Sequence, residues 1–391
     1  MNNINFLNLL FNDIPINITD DKLINLYKLI SKKYTSLDAK IKSSNKKCTI
    51  DITQIVWGST EILEDIIKHY DNMICYQIRD LNTDIKFNFY LPNNLSNKDK
   101  EYIQDNIKYI LLCRIVLLNL NNIFTSTYND KYEINFYLSG LKKIIDYNNK
   151  VFTVNEVNSG ESNIHLTKIF RMEESIKVAF HETSHSLGVF RNDVINKYFA
   201  IKDNKIAIAE VVVEVIAVIF NSFVDTNNYE EFIKNIKIEI LFGLLQSSKV
   251  LYKAGMNLNQ FLNRNCDVQI MQNTAAVEYH ILKTYVLYHI NEFVDALYNS
   301  TSMSDLYTAT LDIVLGLKTE KRDNKWFFDG INIGMNFIKE NINTTDPIKK
   351  ELINTFRMTI TEPRQKIQKG GVRPKRYKLV KKKTLCYNFE H

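Results

Sequence analysis

The sequence contains few residues that interrupt regular secondary structure. Of its 391 residues, only 11 are glycine and 5 are proline, which together make about 4% of the chain against roughly 12% in an average protein. So low a content of helix-breaking residues favours long helices. Hydrophobic residues make up 45% and charged residues 24% of the chain. These ordinary values exclude intrinsically disordered and fibrous proteins.

Cysteine is also scarce, with five residues that lie far apart and never form a CxxC pair. This pattern excludes a disulfide scaffold and a cysteine zinc ribbon, and it is typical of a reducing compartment. The N-terminus has no basic region and no small-residue cleavage site, which argues against a secretory signal. The longest apolar stretch, 206–220, contains two carboxylates that exclude a transmembrane helix there. We therefore expect a cytoplasmic protein without a transmembrane segment.

Positive charge is concentrated near the C-terminus. The net charge is +6, but residues 364–383 contain ten lysine or arginine residues and no acid, so the rest of the chain carries −4. A segment of this kind could bind nucleic acid or an anionic surface. The alternative is a solvated, flexible basic tail, and we assign residues 361–391 to such a tail.

The order of the predicted elements indicates an α+β fold, because strands are concentrated early in the chain and helices late. The predicted strands are 48–57, 84–91, 132–138, 151–157 and 164–170. Residues 1–45 are predicted to form helices and loops, and the later helices are 61–69, 97–118, 173–187, 206–223, 229–247, 272–290, 303–317, 328–341 and 347–358. We divide the chain into an N-terminal α/β region of unknown role (1–130), a main domain (131–360) and the tail.

The segment FHETSHSLG contains the pattern H-E-x-x-H at His181, Glu182 and His185. Residues four apart lie on the same face of a helix, so both imidazoles can bind one Zn²⁺ ion. Glu182 is rotated by about 100° from His181 and can act as the general base toward a metal-bound water. The alternative is an ordinary helix with two structural histidines.

A catalytic zinc ion needs a third protein ligand. The position that would carry it in a metzincin is Arg191, a cation, which excludes that type of site, and Asp193 is a possible oxygen ligand. Glu210 and Glu214 are better candidates, because they lie one helical turn apart in an apolar segment. Glu210 follows His185 by 25 residues. Two buried carboxylates need a cation or strong donors, whereas two carboxylates on a half-exposed helix would not.

H-E-x-x-H followed by E-x-x-x-E resembles the gluzincins, the thermolysin-type zinc peptidases. This resemblance implies that Glu210 is the third zinc ligand and that Glu214 orients a ligand histidine; a reversed helix direction would exchange these roles. More narrowly, residues 130–290 resemble metallopeptidases of nucleocytoplasmic large DNA viruses. The resemblance implies a zincin-like fold, with a small mixed sheet packed on the zinc helix and a mainly helical part after it.

Gluzincins also use a tyrosine or histidine from a later helix to stabilise the oxyanion. The resemblance makes Tyr279 and His280 the leading candidates for this role, and packing in the core is the alternative for each. It also implies that the strand at 164–170 is an edge strand that pairs with an extended peptide substrate. The turn Asn158-Ser159-Gly160 could lie near it.

Together these features predict a zinc metallopeptidase with one zinc ion per chain and a peptide or protein substrate. The alternative is a catalytically inactive viral structural protein, in which the zinc helix is structural and the tail binds nucleic acid. In either case the resemblance implies that the protein acts in the host cytoplasm or the virion.

Overall fold

A computed structural model describes residues 2–360 of the protein. The residues outside the description in this range are 19–20, 38–40, 48–57, 70–72, 81–84, 93–96, 121–122, 125–131, 164, 190–192, 196–197, 203–204 and 320–322. The strand predicted at 48–57 and the basic tail at 361–391 therefore lie outside the described residues.

Helices form most of the described structure. The α-helices are α1 (Asn3–Leu10), α2 (Asp21–Thr35), α3 (Thr60–His69), α4 (Asn97–Leu118), α5 (Val154–Val157), α6 (Ser175–Ser186), α7 (Ile208–Phe223), α8 (Tyr229–Ala254), α9 (Leu258–Leu262), α10 (Lys283–Tyr288), α11 (Ile290–Asn299), α12 (Met303–Leu315), α13 (Lys325–Asn341) and α14 (Pro347–Asn354). A π-helical turn precedes α10. None of the described helices combines the length and the apolar character needed to cross a membrane.

Most of the strands belong to one mixed sheet. The strands are β1 (Ile41–Lys47), β2 (Met73–Asp80), β3 (Lys86–Pro92), β4 (Glu133–Ser139), β5 (Val151–Phe152), β6 (Gly160–Ser162), β7 (Leu166–Arg171), β8 (Asp193–Ile195), β9 (Lys205–Ala207) and β10 (Met271–Gln272). The six-stranded sheet has the order β1-β2-β3-β4-β7-β6. Its strands β3, β4 and β7 are parallel, and β6 is antiparallel to β7. The predicted α+β class is confirmed.

The sheet extends across the domain boundary that the sequence predicts near residue 130. Strand β3 lies before this boundary and pairs with β4, which lies after it, in the register Lys86 to Glu133. Side chains from both sides also share one hydrophobic core, which includes Phe87 of β3 and Phe136 of β4. The N-terminal region therefore contributes strands to the same sheet as the main domain.

Helix α6 lies between the sheet and helix α7, and it contacts β6, β7 and α7. Every residue of α7 except Glu210 is buried, as its nearly continuous run of valine, isoleucine and alanine requires. The packing of α6 on α7 brings the H-E-x-x-H face of α6 toward Glu210 and Glu214 of α7.

Several predicted elements differ from the structure in the part of the chain around α6. The strand predicted at 151–157 is two residues of β5 followed by α5, because Thr153 and Glu156 form a capping box that starts a helix. The strand predicted at 164–170 forms β7, which lies inside the sheet and not at its edge. The edge is formed by β6, whose first residue, Gly160, is the last residue of the predicted turn.

Some helices in the later part of the chain begin or end at other residues than predicted. The helix predicted at 272–290 is divided into the end of β10, the π-helical turn Glu278–Leu282, α10 and the start of α11. The helix predicted at 347–358 ends at Asn354. Residues 355–360, here called the C-terminal segment, continue into the interior without forming a helix. The region 1–45 also contains the start of β1.

Candidate metal centre

The start of helix α6 is fixed by a buried acid. Glu174 precedes the helix in a left-handed conformation (φ 60°) and is buried. Its Oε1 accepts hydrogen bonds from the backbone N–H groups of Met358 (2.7 Å) and Thr359 (2.6 Å), and its Oε2 lies 2.9 Å from Lys143 Nζ. The helix ends at Ser186, and Gly188 adopts a left-handed conformation just beyond it. Both ends of the helix are therefore held by specific local structure.

His181 and His185 point the same way from α6, as residues four apart should. Their Nε2 atoms lie 3.1 Å apart, and His181 is buried. Glu210 of α7 faces both rings, and its Oε2 lies 3.4 Å from each Nε2 atom. A tetrahedral zinc ion with bonds of 2.0–2.1 Å separates its ligand atoms by about 3.3 Å. These three atoms are therefore spaced as zinc ligands are.

The other nitrogen of each imidazole faces an acceptor. His185 Nδ1 lies 2.6 Å from the carbonyl oxygen of Val189, and His181 Nδ1 lies 2.8 Å from Glu214 Oε1. When Nδ1 of a neutral imidazole donates its proton, the Nε2 atom carries a lone pair. Two lone pairs and a carboxylate oxygen then face one another, which is unfavourable unless a cation lies between them. The residues fit a divalent metal ion.

Glu214 occupies the far side of His181 from Glu210. It is 1% exposed, and both of its carboxylate oxygens contact Lys177 Nζ. Burial raises the pKa of a carboxyl group, but Lys177 and His181 outweigh it and hold the pKa of Glu214 well below its usual range. Glu214 is thus an ionised acceptor for His181, whereas Glu210 faces both Nε2 atoms.

The same carboxylates control the protonation of the histidines. Burial alone would lower the pKa of His181, but Glu210 and Glu214 raise it to about 9. For the Glu210 carboxyl, burial has the opposite effect and raises the pKa. His185 and His181 beside it outweigh burial and hold the pKa of Glu210 well below its usual range. Without a metal ion, the site therefore favours a bound proton between the rings and Glu210.

Glu182 faces the edge of the sheet. The ligand-type atoms of His181, Glu182 and His185 lie within 4.8 Å of one another. A Cβ atom at Gly160 of β6 would lie 2.9 Å from Glu182 Oε1 and 2.7 Å from Val178 Cγ1. A side chain at this position would displace Glu182, so glycine allows β6 to approach the helix closely.

Tyr279 and His280 have different positions although they are adjacent. The hydroxyl of Tyr279 donates a 2.9 Å hydrogen bond to Glu210 Oε2, and its ring lies 5.7 Å from that of His181. Burial and the negative charge of Glu210 raise the pKa of Tyr279 well above its usual value, so the phenol remains protonated. The structure therefore brings Tyr279 to the metal centre.

His280 points into the core. Its ring centroid lies 4.3 Å from that of Phe356, and the residue is fully buried. Burial and the nearby charge of Lys283 hold the pKa of His280 well below its usual value, so the ring is neutral. Among the described contacts, none joins His280 to the metal centre. Its placement corresponds to the alternative of core packing and gives no support to a role in stabilising the oxyanion.

A pocket of about 40 Å³ adjoins the centre, with room for more than one water molecule. Its walls come from the edge of the sheet, α6, α7, the π-helical turn and the C-terminal segment, and they are Asn158, Ser159, Gly160, Val178, His181, Glu182, Glu214, Tyr279 and Met358. Asn158, Ser159 and Gly160, which the sequence placed near the predicted edge strand, are among these lining residues. Asp193 is in β8, and its side chain lies outside the described residues.

Sequence reasoning missed Lys177 and Met358. Lys177 Nζ lies 3.2 Å from Met358 Sδ, and both residues are buried beside Glu214. The signal that could have identified Lys177 is its position four residues before His181, together with two carboxylates that need partners.

No protein-family model, curated protein or solved structure matches the chain.

Proposed function

We propose that the protein is a zinc-dependent metallopeptidase of the gluzincin type, with one zinc ion held by His181, His185 and Glu210. The observation that carries the proposal is the spacing of the three ligand atoms, which are 3.1–3.4 Å apart. The convergence of two imidazole nitrogens and a carboxylate on one point favours a metal site over an ordinary helix with two structural histidines. The zincin-like fold and the resemblance to viral metallopeptidases form part of the same proposal.

The proposed chemistry assigns one task to each side chain around the pocket. Bound zinc would polarise the scissile carbonyl and make a water molecule more acidic. Glu182 accepts the proton of the attacking water and delivers it to the leaving nitrogen as the C–N bond breaks. Tyr279 is protonated and donates a hydrogen bond to the developing oxyanion, once its hydroxyl turns away from Glu210. Glu214 keeps His181 in the tautomer whose Nε2 binds metal.

The position of β6 supports a peptide substrate. Among the described strands it is the last one of the sheet, which is where an extended peptide could add a strand. Gly160 of this strand lies directly against Glu182. A peptide added to the edge would therefore pass close to the general base.

The test is to measure zinc content and hydrolysis of a peptide library with and without a chelator. We expect one zinc ion per chain and hydrolysis that the chelator stops. Glu182→Gln should retain zinc and lower the rate by about 10²–10⁴-fold, because the amide cannot accept the proton of water. His185→Ala should instead lose the metal.

Two results would contradict these assignments. Equal loss of zinc from both variants would mean that Glu182 is a ligand and not the base. Stoichiometric zinc binding without hydrolysis of any peptide would favour the inactive structural protein with a structural zinc helix.

A further inference from the structure

Lys177 lies one helical turn before His181 on the same face of α6. Its side chain is 1% exposed, and its Nζ contacts both carboxylate oxygens of Glu214. Glu214 is equally buried and lies 2.8 Å from His181 Nδ1. The buried carboxylate is therefore held between a lysine on one side and a metal-binding histidine on the other.

The position of Lys177 is fixed by more than its partner. Met358 Sδ lies 3.2 Å from Lys177 Nζ. The backbone of Met358 is itself anchored, because its N–H donates to Glu174 (2.7 Å) and its carbonyl accepts from Lys283 Nζ (2.6 Å). Lys177 thus has a rigid surface behind it and cannot follow Glu214 if that carboxylate turns away.

We propose that Lys177 is a positioning residue that fixes the carboxylate of Glu214 against His181 and thereby sets the affinity of the centre for zinc. The inference rests on the proposed function, since it assumes that His181 binds the metal. Without Lys177, the Glu214 carboxylate loses its buried cationic partner and would rotate or draw in water to find another. His181 would then lose the acceptor that fixes its ring and its tautomer. The outer partners of metal-bound histidines change metal affinity in this manner.

The first test compares zinc dissociation constants of purified full-length variants by competition with a chelator. Lys177→Met, which keeps the length of the side chain and removes the charge, should weaken zinc binding about 10–100-fold. The matched control is Lys253→Met, which also removes a buried lysine from a buried ion pair, here with Glu156 at 2.5 Å. The zinc dissociation constant of this control should lie within about twofold of that of the unmodified protein, well short of the loss expected for Lys177→Met. Equal affinity of Lys177→Met and the unmodified protein would overturn the proposal.

A second variant separates positioning from a general loss of structure. Glu214→Gln should itself weaken zinc binding about 10–100-fold, and adding Lys177→Met to it should cause no further loss, because Lys177 acts through Glu214. The double variant removes both charges of the Lys177–Glu214 pair, so it remains informative if Lys177→Met alone does not fold. A further loss of the same size in the double variant would overturn the proposal.

The controls also distinguish this inference from the proposed function. If the unmodified protein binds no zinc, the proposed function fails before Lys177 is considered. If it binds zinc and the Lys177 variants bind as tightly, only the inference about Lys177 fails. Far-ultraviolet circular dichroism of each variant establishes that the compared proteins are folded.

Discussion

At the scale of single residues, a proton and a metal ion would compete for the proposed metal centre. Both imidazoles have their Nδ1 atoms directed at acceptors, so their Nε2 atoms converge on Glu210. A proton bound there relieves the repulsion between lone pairs and the carboxylate, and so does a divalent cation. Metal binding must therefore release this proton, and the affinity for zinc depends on pH.

The metal-free protein should lose stability as the pH rises from about 6.5 to about 9. The pKa of His181 is raised from 6.5 to about 9 in the folded protein. The extra proton stabilises the folded protein fully below pH 6.5, the pKa of this group in the unfolded chain, and this stabilisation is lost as the pH rises through about 9. The total change in the free energy of unfolding is on the order of 3 kcal/mol. The lowered pKa values of Glu210 and Glu214 act below this range. Thermal unfolding of the metal-free and zinc-loaded protein from pH 6 to pH 9 tests this.

The zinc-loaded protein provides the contrast, because its histidines are already deprotonated. The stabilisation by zinc should therefore increase with pH across the same range. A stabilisation by zinc that stays constant between pH 6 and pH 9 would show that His181 does not retain a proton in the metal-free folded state.

Some residues of the site could be predicted from the sequence and others could not. The convergence of His181 and His185 follows from helical spacing alone, and the pair Glu210 and Glu214 follows from the cost of burying carboxylates. The choice between Tyr279 and His280 depends on the rotation of a helix about its axis, which the π-helical turn changes. Lys177 was missed because a lysine on a helix is normally exposed, and only the tertiary structure buries it.

At the scale of elements, the close approach of β6 to α6 limits the space around Glu182, the proposed general base. Gly160 provides the space, since a Cβ atom there would meet both Val178 and Glu182. The strand also forms the edge of the sheet, which the sequence assigned to 164–170. Its short length and its glycine make it resemble a turn in the sequence, and only pairing with β7 shows that it is a strand.

Gly160→Ala should therefore lower peptide hydrolysis by about 100-fold, because a displacement of Glu182 by about 1 Å disrupts proton transfer. Zinc content should remain at the level of the unmodified protein, since the atoms nearest to such a Cβ atom belong to Val178 and Glu182 and not to a proposed zinc ligand. The matched control is Gly140→Ala, where a Cβ atom meets nothing within 4 Å. Loss of zinc from Gly160→Ala, or activity equal to that of the control, would contradict this role for the close contact.

At the scale of the whole molecule, the C-terminal segment joins distant parts of the chain. Its backbone pairs briefly with residues 143–145, where the N–H of Phe356 donates to the carbonyl of Lys143 (2.9 Å). Buried charged side chains satisfy other backbone groups: Lys249 Nζ donates to the carbonyl of Thr355 (2.6 Å), and the N–H of Ile360 donates to Glu239 (3.2 Å). The sequence predicted a helix at 347–358 because its local pattern is helical. The interior charges that satisfy an extended backbone are more than 100 residues away in the chain, so no local pattern could indicate them.

Glu174 links this segment to the start of α6, and removing its side chain should destabilise the whole protein. Glu174→Ala removes the acceptor of two backbone N–H groups and leaves Lys143 without its buried partner, at a cost of about 3–5 kcal/mol in the free energy of unfolding. Glu174→Gly loses the same contacts but accepts the left-handed conformation (φ 60°), so it should be about 1 kcal/mol more stable than Glu174→Ala. Denaturant unfolding measures both differences. Equal stability of the two variants would mean that the backbone leaves this conformation once the carboxylate is gone, and a loss below about 1 kcal/mol in both would mean that the segment is anchored elsewhere.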